Sequence, residues 1–153
     1  MLVDTGSSAD IMYLSTFDKL QLPRNHIQPI ATPLTGVMGH VVYVLGIATL
    51  DFAVDRGDQT STIKAQFTVV YIDDPSYNGL IGRPILITLR AIVSPLHLKL
   101  KFPTAGGIGK VCGNQKRARI YYQAPNPPVN KPTVESSKKR CRKNQLEIRT
   151  MRK

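Results

Sequence analysis

The stretch Leu2-Val3-Asp4-Thr5-Gly6-Ser7 decides the fold, because it can present one carboxylate on a tight turn that follows a short apolar segment. A second apolar and glycine unit, Gly79-Leu80-Ile81-Gly82-Arg83-Pro84, follows about 75 residues later. The chain has no second Asp-Thr-Gly and no Asp-Ser-Gly. One such turn supplies half of an acid/base pair of carboxylates, so a second chain would have to supply the other half.

Length and composition favour one small domain. The 153 residues can enclose a modest core, which makes two folded domains an unfavourable reading. No stretch approaches the roughly 20 apolar residues of a membrane span, and no basic segment leads into an apolar run at the N-terminus. The sequence therefore predicts an intracellular, cytoplasmic or nuclear protein that is not secreted and has no membrane partner. Cys112 and Cys141 are predicted to be reduced thiols.

The positive charge is concentrated in the C-terminal part of the chain. Residues 1–112 hold 9 Lys/Arg and 8 Asp/Glu, whereas residues 113–153 hold 12 and 2. The second segment also contains several prolines and the basic run 138–143. We therefore predict a folded domain over 1–112 and a disordered basic tail or linker over 113–153.

Hydrophobic periodicity predicts mostly strands within 1–112. A short helix is expected around 15–20, and a hairpin followed by a strand is expected between Ile30 and Val54. Apolar residues alternate with polar ones from Ile63 to Tyr71, which predicts a half-buried antiparallel strand.

The remaining pattern also predicts short elements. Leu80-Ile81 is expected to form a short buried strand, and Pro84 is expected in the first turn of a helix. Alternation from Leu96 to Phe102 predicts a strand with one apolar and one basic face. The fold class predicted is mainly β, with short helices.

The chain resembles the retropepsin-like aspartic proteases of plant Ty3/gypsy-type retrotransposon polyproteins, from Leu2 to about Tyr122. The resemblance rests on four stretches of the sequence. They are 3–11, 33–39, 77–84 and 96–104. It implies a retropepsin-like half-barrel that acts as a homodimer and hydrolyses a polypeptide substrate.

The resemblance also implies a role for each residue of the turn. Asp4 matches the catalytic aspartate. Thr5 matches the residue whose hydroxyl bonds across the dimer to the other turn, and Gly6 matches the glycine that lets a backbone N–H face the carboxylates. Ser7 occupies the position that can hydrogen-bond the outer carboxylate oxygen. By contrast, Ser8 and Asp10 could equally be solvated or capping residues.

Two further segments match parts of the family pattern. Gly36, Val37, Met38 and Gly39 resemble the flap that closes over substrate, and a fixed surface hairpin is the alternative. Leu80, Ile81, Gly82 and Arg83 resemble the second structural unit, whose strand passes behind the catalytic turn. There Gly82 would allow close packing and Arg83 would pair with a carboxylate near the dimer interface.

The sequence indicates neither a metal site nor a cofactor. His26, His40 and His97 do not cluster, and no Cys or carboxylate lies at ligand spacing from them. The dyad chemistry implied by the resemblance also needs no metal and forms no covalent intermediate.

Two alternative functions remain open at the level of sequence. Only Met1, Leu2 and Val3 precede Asp4, whereas the family supplies a further strand, so the chain is expected to be an N-terminally truncated domain. A catalytically inactive relic or scaffold is therefore one alternative. The other is a nucleic-acid-binding protein that acts through weak, sequence-independent contacts of 138–143.

Overall fold

The computed structural model describes residues 1–31, 33–35, 41–54, 60–72, 77–115 and 118. Its strands and helices are short, apart from two long strands. The strands are β1 (Leu2–Val3), β2 (Ile11–Tyr13), β3 (Leu34–Thr35), β4 (Val41–Val42), β5 (Val44–Val54), β6 (Ser61–Val70), β7 (Gly79–Ile81), β8 (Ile92–Ser94), β9 (Lys99–Thr104) and β10 (Gly107–Cys112). The helices are α1 (Leu14–Lys19), α2 (Arg83–Thr88) and a 3₁₀ turn over Arg24–His26. The prediction of a mainly β fold with short helices is confirmed.

A five-stranded sheet supports the N-terminal turn, with strand order β1-β7-β2-β6-β5. β1 runs parallel to β7, and β2 runs parallel to β6. β2 and β7 are antiparallel, as are β5 and β6. The turn that begins at Asp4 therefore leaves the sheet from a strand whose hydrogen-bonding partner is about 78 residues away, since Leu2 pairs with Leu80.

The long β5–β6 pair provides much of the core. Its inward positions include Phe52 and Phe67, both fully buried, with ring centroids 5.9 Å apart and ring planes at 63°. This edge-to-face geometry is the one that aromatic rings favour. Phe17 from α1 and Met12 from β2 are also fully buried and belong to the same cluster. The core therefore lies directly behind the strands that support the turn.

A second sheet has three antiparallel strands in the order β10-β9-β8. One of its faces is buried through Leu100, Phe102 and Val111, which belong to the same core cluster. The alternate residues Lys99 and Lys101 are exposed. The predicted division into an apolar and a basic face is thus present within β9.

Several predicted element limits differ from the structure. The strand expected from Leu96 begins only at Lys99, because residues 95–98 form a turn in which the Leu98 N–H donates to the Pro95 carbonyl at 3.2 Å. Leu98 has a positive φ of 46°, and Leu96 is 88% exposed. No strand was predicted at β2, β8 or β10, and α1 begins and ends one residue earlier than predicted.

Other expectations concern single residues and segments. α2 contains Pro84 in its first turn, as predicted. Cys112 is disulfide-bonded in the structure, so the expectation of a reduced thiol is wrong for this residue. The basic run 138–143 lies outside the described residues. In the part of the chain that the structure covers, no helix has the length and apolarity needed to cross a membrane.

Candidate active site

The Asp4 turn is closed by its own backbone. The Gly6 N–H donates to Asp4 Oδ1 at 2.9 Å, and the Ser7 N–H donates to the Asp4 carbonyl at 3.4 Å. A Cβ on Gly6 would lie 3.3 Å from the same Asp4 Oδ1, which is tighter than most such contacts. The structure therefore presents a half-buried carboxylate whose orientation is fixed by the amide two residues later.

The second structural unit lies against this turn and is bonded to it through the main chain. The Asp4 N–H donates to the Ile81 carbonyl at 2.9 Å, and the Arg83 N–H donates to the Ser7 carbonyl at 3.0 Å. A Cβ on Gly82 would collide with the Ala9 carbonyl oxygen and lie 3.0 Å from the Ser7 carbonyl oxygen. Any side chain at position 82 would therefore push the two segments apart.

Asp10 provides the third connection between these segments. Its Oδ1 accepts a hydrogen bond from the Gly82 N–H at 2.6 Å, and its Oδ2 accepts one from the Ile85 N–H at 3.2 Å. The side chain of Asp10 is almost fully buried, at 2% exposure. Gly82 is the residue before α2 and has no side chain to cap the helix, so Asp10 takes the place of an N-cap from 72 residues away. Of the two open readings of Asp10, capping is the one that the structure favours.

The environment of Asp10 changes its acidity. Burial raises the pKa of the Asp10 carboxyl, because an ionised group loses its hydration there, and the hydrogen bonds from Gly82 and Ile85 act in the opposite direction. Neither of the ion pairs that the structure describes, Arg24–Asp18 and Lys64–Asp51, involves this carboxylate. The carboxylate is thus stabilised by backbone dipoles alone among the described contacts.

The remaining turn residues do not all adopt the expected contacts. The Ser7 hydroxyl donates to the Ala9 carbonyl at 2.7 Å and accepts from the Ala9 N–H at 3.3 Å, instead of bonding to the Asp4 carboxylate. Thr5 is exposed on this single chain. Arg83 is also exposed, and it approaches the turn through its backbone N–H.

Only the base of the expected flap can be described. β3 and β4 are antiparallel, with Leu34 opposite Val42 and Thr35 opposite Val41. Gly36, Val37, Met38 and Gly39 lie outside the described residues, between these two strands. The described residues contain no group of three or more His, Cys, Asp or Glu side chains that could hold a metal ion.

Sequence reasoning left the role of Asp10 undecided, although two signals favoured capping. Asp10 directly precedes the apolar residues Ile11 and Met12, where an unpartnered charge would be unfavourable. The helix that begins at Arg83 follows Gly82 and contains Pro84, so its own N-terminus offers no Ser, Thr, Asp or Asn cap. A buried acid and an uncapped helix together indicate a partnership, but the sequence alone does not connect them.

A comparison with solved structures finds a likeness to the crystal structure of the retroviral protease-like domain of Ddi1 from Leishmania major. The identity is 16%, the match covers 74% of this chain and 84% of that chain, and the TM-score is 0.45. No family model matches the chain. No curated protein matches it either. The function proposed next therefore depends on the residues of this chain.

Proposed function

We propose that the chain is an aspartic endopeptidase of the retropepsin-like type, active as a homodimer and able to cleave a polypeptide such as a retroelement polyprotein. The observation that carries the proposal is the Asp4 turn. It combines the Asp-Thr-Gly sequence with a carboxylate oriented by the Gly6 N–H and a backbone tied to residues 81–83. A solvated surface turn would not need this second set of bonds from a distant segment.

The chemistry follows from bringing two such carboxylates together. Two like charges a few ångströms apart cannot both ionise at low cost, so the pair would share one proton. The ionised aspartate then acts as a general base on a bound water, while the protonated one donates to the oxygen of the scissile carbonyl. The water attacks the carbonyl carbon directly, so the reaction requires no covalent intermediate.

The homodimer is proposed because one chain contains one Asp-Thr-Gly. Thr5 is exposed beside Asp4, so its hydroxyl is available to a second copy of the turn. In the proposed assembly the Thr5 hydroxyls would hold the two carboxylates in one plane. The segment between β3 and β4 would cover the substrate from above.

The test is proteolysis of a mixed peptide library by the wild-type chain, with product identification by mass spectrometry over pH 3–7. We expect activity to be highest at acidic to mildly acidic pH and to be blocked by a hydroxyl-bearing transition-state analogue. Asp4→Asn should lower kcat by at least about 10³-fold, because an amide can neither activate water nor share the proton. Asp18→Asn is the matched control, since Asp18 is an exposed carboxylate paired with Arg24.

The proposed homodimer leads to a second expectation, which concerns protein concentration. Specific activity should fall on dilution as the active species dissociates. Unchanged turnover of Asp4→Asn would remove Asp4 from the mechanism. Constant specific activity down to a concentration at which light scattering shows only monomer would instead contradict the shared site.

A further inference from the structure

The outer face of the three-stranded sheet places three lysines together. Lys101 on β9 is directly opposite Lys110 on β10, and Lys99 lies on the same face two residues before Lys101. Strand geometry puts the Cα atoms of Lys99 and Lys101 about 7 Å apart, and those of Lys101 and Lys110 about 5 Å apart. We refer to Lys99, Lys101 and Lys110 as the lysine face.

The lysine face has no acidic partner near it in sequence or among the described contacts. No Asp or Glu occurs from Pro75 to Val134. The two ion pairs that the structure describes lie elsewhere, on α1 with the 3₁₀ turn and on the β5–β6 pair. Like charges directly opposite each other disfavour strand pairing. The face therefore keeps an electrostatic cost that a bound anion would relieve.

These lysines are not needed for packing. The core positions of the same strands are Leu100, Phe102 and Val111, which alternate with the lysines. Lys99 and Lys101 are exposed, and Lys110 is half-buried. Uncharged polar residues would serve an ordinary solvated face equally well.

We propose that the lysine face binds the phosphate backbone of nucleic acid without reading its bases. Lysine is a flexible point charge suited to phosphates at varied positions. The strand positions on this face carry no aromatic residue for base stacking. Besides the lysines they are occupied by Ile92, Ser94, Pro103, Ile108 and Cys112. The contact is therefore sequence-independent and salt-sensitive.

The composition of the face favours nucleic acid over an acidic protein or a membrane surface as the partner. Protein interfaces are depleted in Lys and enriched in Arg and aromatic residues, neither of which occurs at these strand positions. Membrane-surface binding normally uses exposed Trp or Phe anchors, whereas the chain contains no Trp and its four Phe residues are buried.

This proposal is independent of peptidase activity and is tested by binding alone. The full chain and the variant Lys99→Gln/Lys101→Gln/Lys110→Gln are titrated against a labelled mixed-sequence duplex and its single strand, from 50 to 200 mM salt. Lys19→Gln/Arg24→Gln/Lys64→Gln is the matched control, because it removes the same charge from other exposed positions. Thermal unfolding checks that both variants remain folded.

Each phosphate contact contributes about 0.9 to the slope of log K against log salt for a duplex. We therefore expect the face variant to lower the slope by about 2 to 3 and the affinity at 100 mM salt by about 10²-fold. The control should change the affinity by less than about threefold, since only the long-range field is altered. The single strand should show a smaller slope change, about 0.7 per contact.

Three outcomes would overturn the proposal. An equal loss of affinity in the two variants would show that binding depends on the overall charge or on the C-terminal tail. Absence of binding at 50 mM salt would remove nucleic acid as a ligand. Lysine-dependent binding to vesicles containing phosphatidylserine that is tighter than binding to the duplex would assign the face to a membrane instead.

Discussion

The two sheets of this molecule treat charge in opposite ways. In the five-stranded sheet, the buried carboxylate of Asp10 receives two backbone N–H groups from the start of α2. In the three-stranded sheet, Lys101 and Lys110 face each other across a strand pair, with no ion pair among the described contacts. The first arrangement satisfies its charge within the fold and holds a turn in place. The second leaves its charge for solvent or for a partner.

The largest loss of stability is expected in the core behind the five-stranded sheet. Phe67→Ala should lower the free energy of unfolding by about 3–5 kcal/mol, because it removes a fully buried ring and leaves a cavity beside Phe52. Ile108→Ala is the control on the other sheet, since Ile108 is 68% exposed, and we expect a change below about 0.5 kcal/mol. Chemical denaturation measures both. Equal losses would mean that the two faces are not distinguished by burial.

A smaller effect is expected at the buried carboxylate. Asp10→Asn should lower the free energy of unfolding by about 1–3 kcal/mol, because an amide can accept from one of the two N–H groups but not from both. Asp18→Asn is the control, since the Arg24–Asp18 pair is exposed and should contribute at most about 1 kcal/mol.

The pH dependence of the free energy of unfolding, compared between the wild type and Asp10→Asn, tests the direction of the Asp10 pKa shift. A folded pKa raised above the ordinary 3.8 means that the folded chain holds the proton more tightly than the unfolded chain. The proton-linked part of the Asp10 contribution to stability is therefore fully present below pH 3.8 and is lost as the pH rises through the folded pKa, while the hydrogen bonds to the two N–H groups remain. The stability gap between wild type and Asp10→Asn should narrow from pH 3 to pH 7. A gap that widens over this range would show that the folded pKa is lowered instead.

The smallest effect is expected at the opposed lysines. Lys110→Gln should raise the free energy of unfolding by about 0.2–1 kcal/mol, because it removes a like-charge contact with Lys101. The gain should shrink in 1 M salt, which screens the repulsion. Lys64→Gln should show no gain, since it breaks the 2.9 Å pair with Asp51. A loss of stability in Lys110→Gln would mean that the lysine face is already neutralised within the chain.

The sequence correctly predicted elements whose formation depends on neighbouring residues. The alternation over 61–70 and the proline at the start of α2 correctly indicated β6 and a helix. The same alternation misled at Leu96, because residues 95–98 form a turn that the Leu98 N–H closes by donating to the Pro95 carbonyl. The Gly113 N–H also donates to the Leu98 carbonyl at 2.7 Å, a contact between residues 15 positions apart that local alternation does not indicate. β2 was missed because three residues carry too little periodicity.

The candidate site shows the same limit. Asp-Thr-Gly indicated the turn, in which the Gly6 N–H donates to Asp4 Oδ1 at 2.9 Å. The partners of Asp10 lie 72 and 75 residues away, so no sequence spacing could assign them. The Ser7 hydroxyl also had a competing acceptor in the nearby Ala9 carbonyl, which the resemblance did not predict.

The distance in sequence between Asp10 and Ile85 has a consequence for how the protein is made. The Asp4 turn is synthesised about 77 residues before Ile81, yet its supporting bonds come from residues 81–85. At ordinary synthesis rates the nascent turn waits roughly 4–16 s before those residues have been added, and longer before they leave the ribosome. During that interval β1 has no strand to pair with and the carboxylate of Asp10 is hydrated. The turn can thus acquire its final structure only after residues 81–85 are available, and non-local pairings of this kind fold slowly.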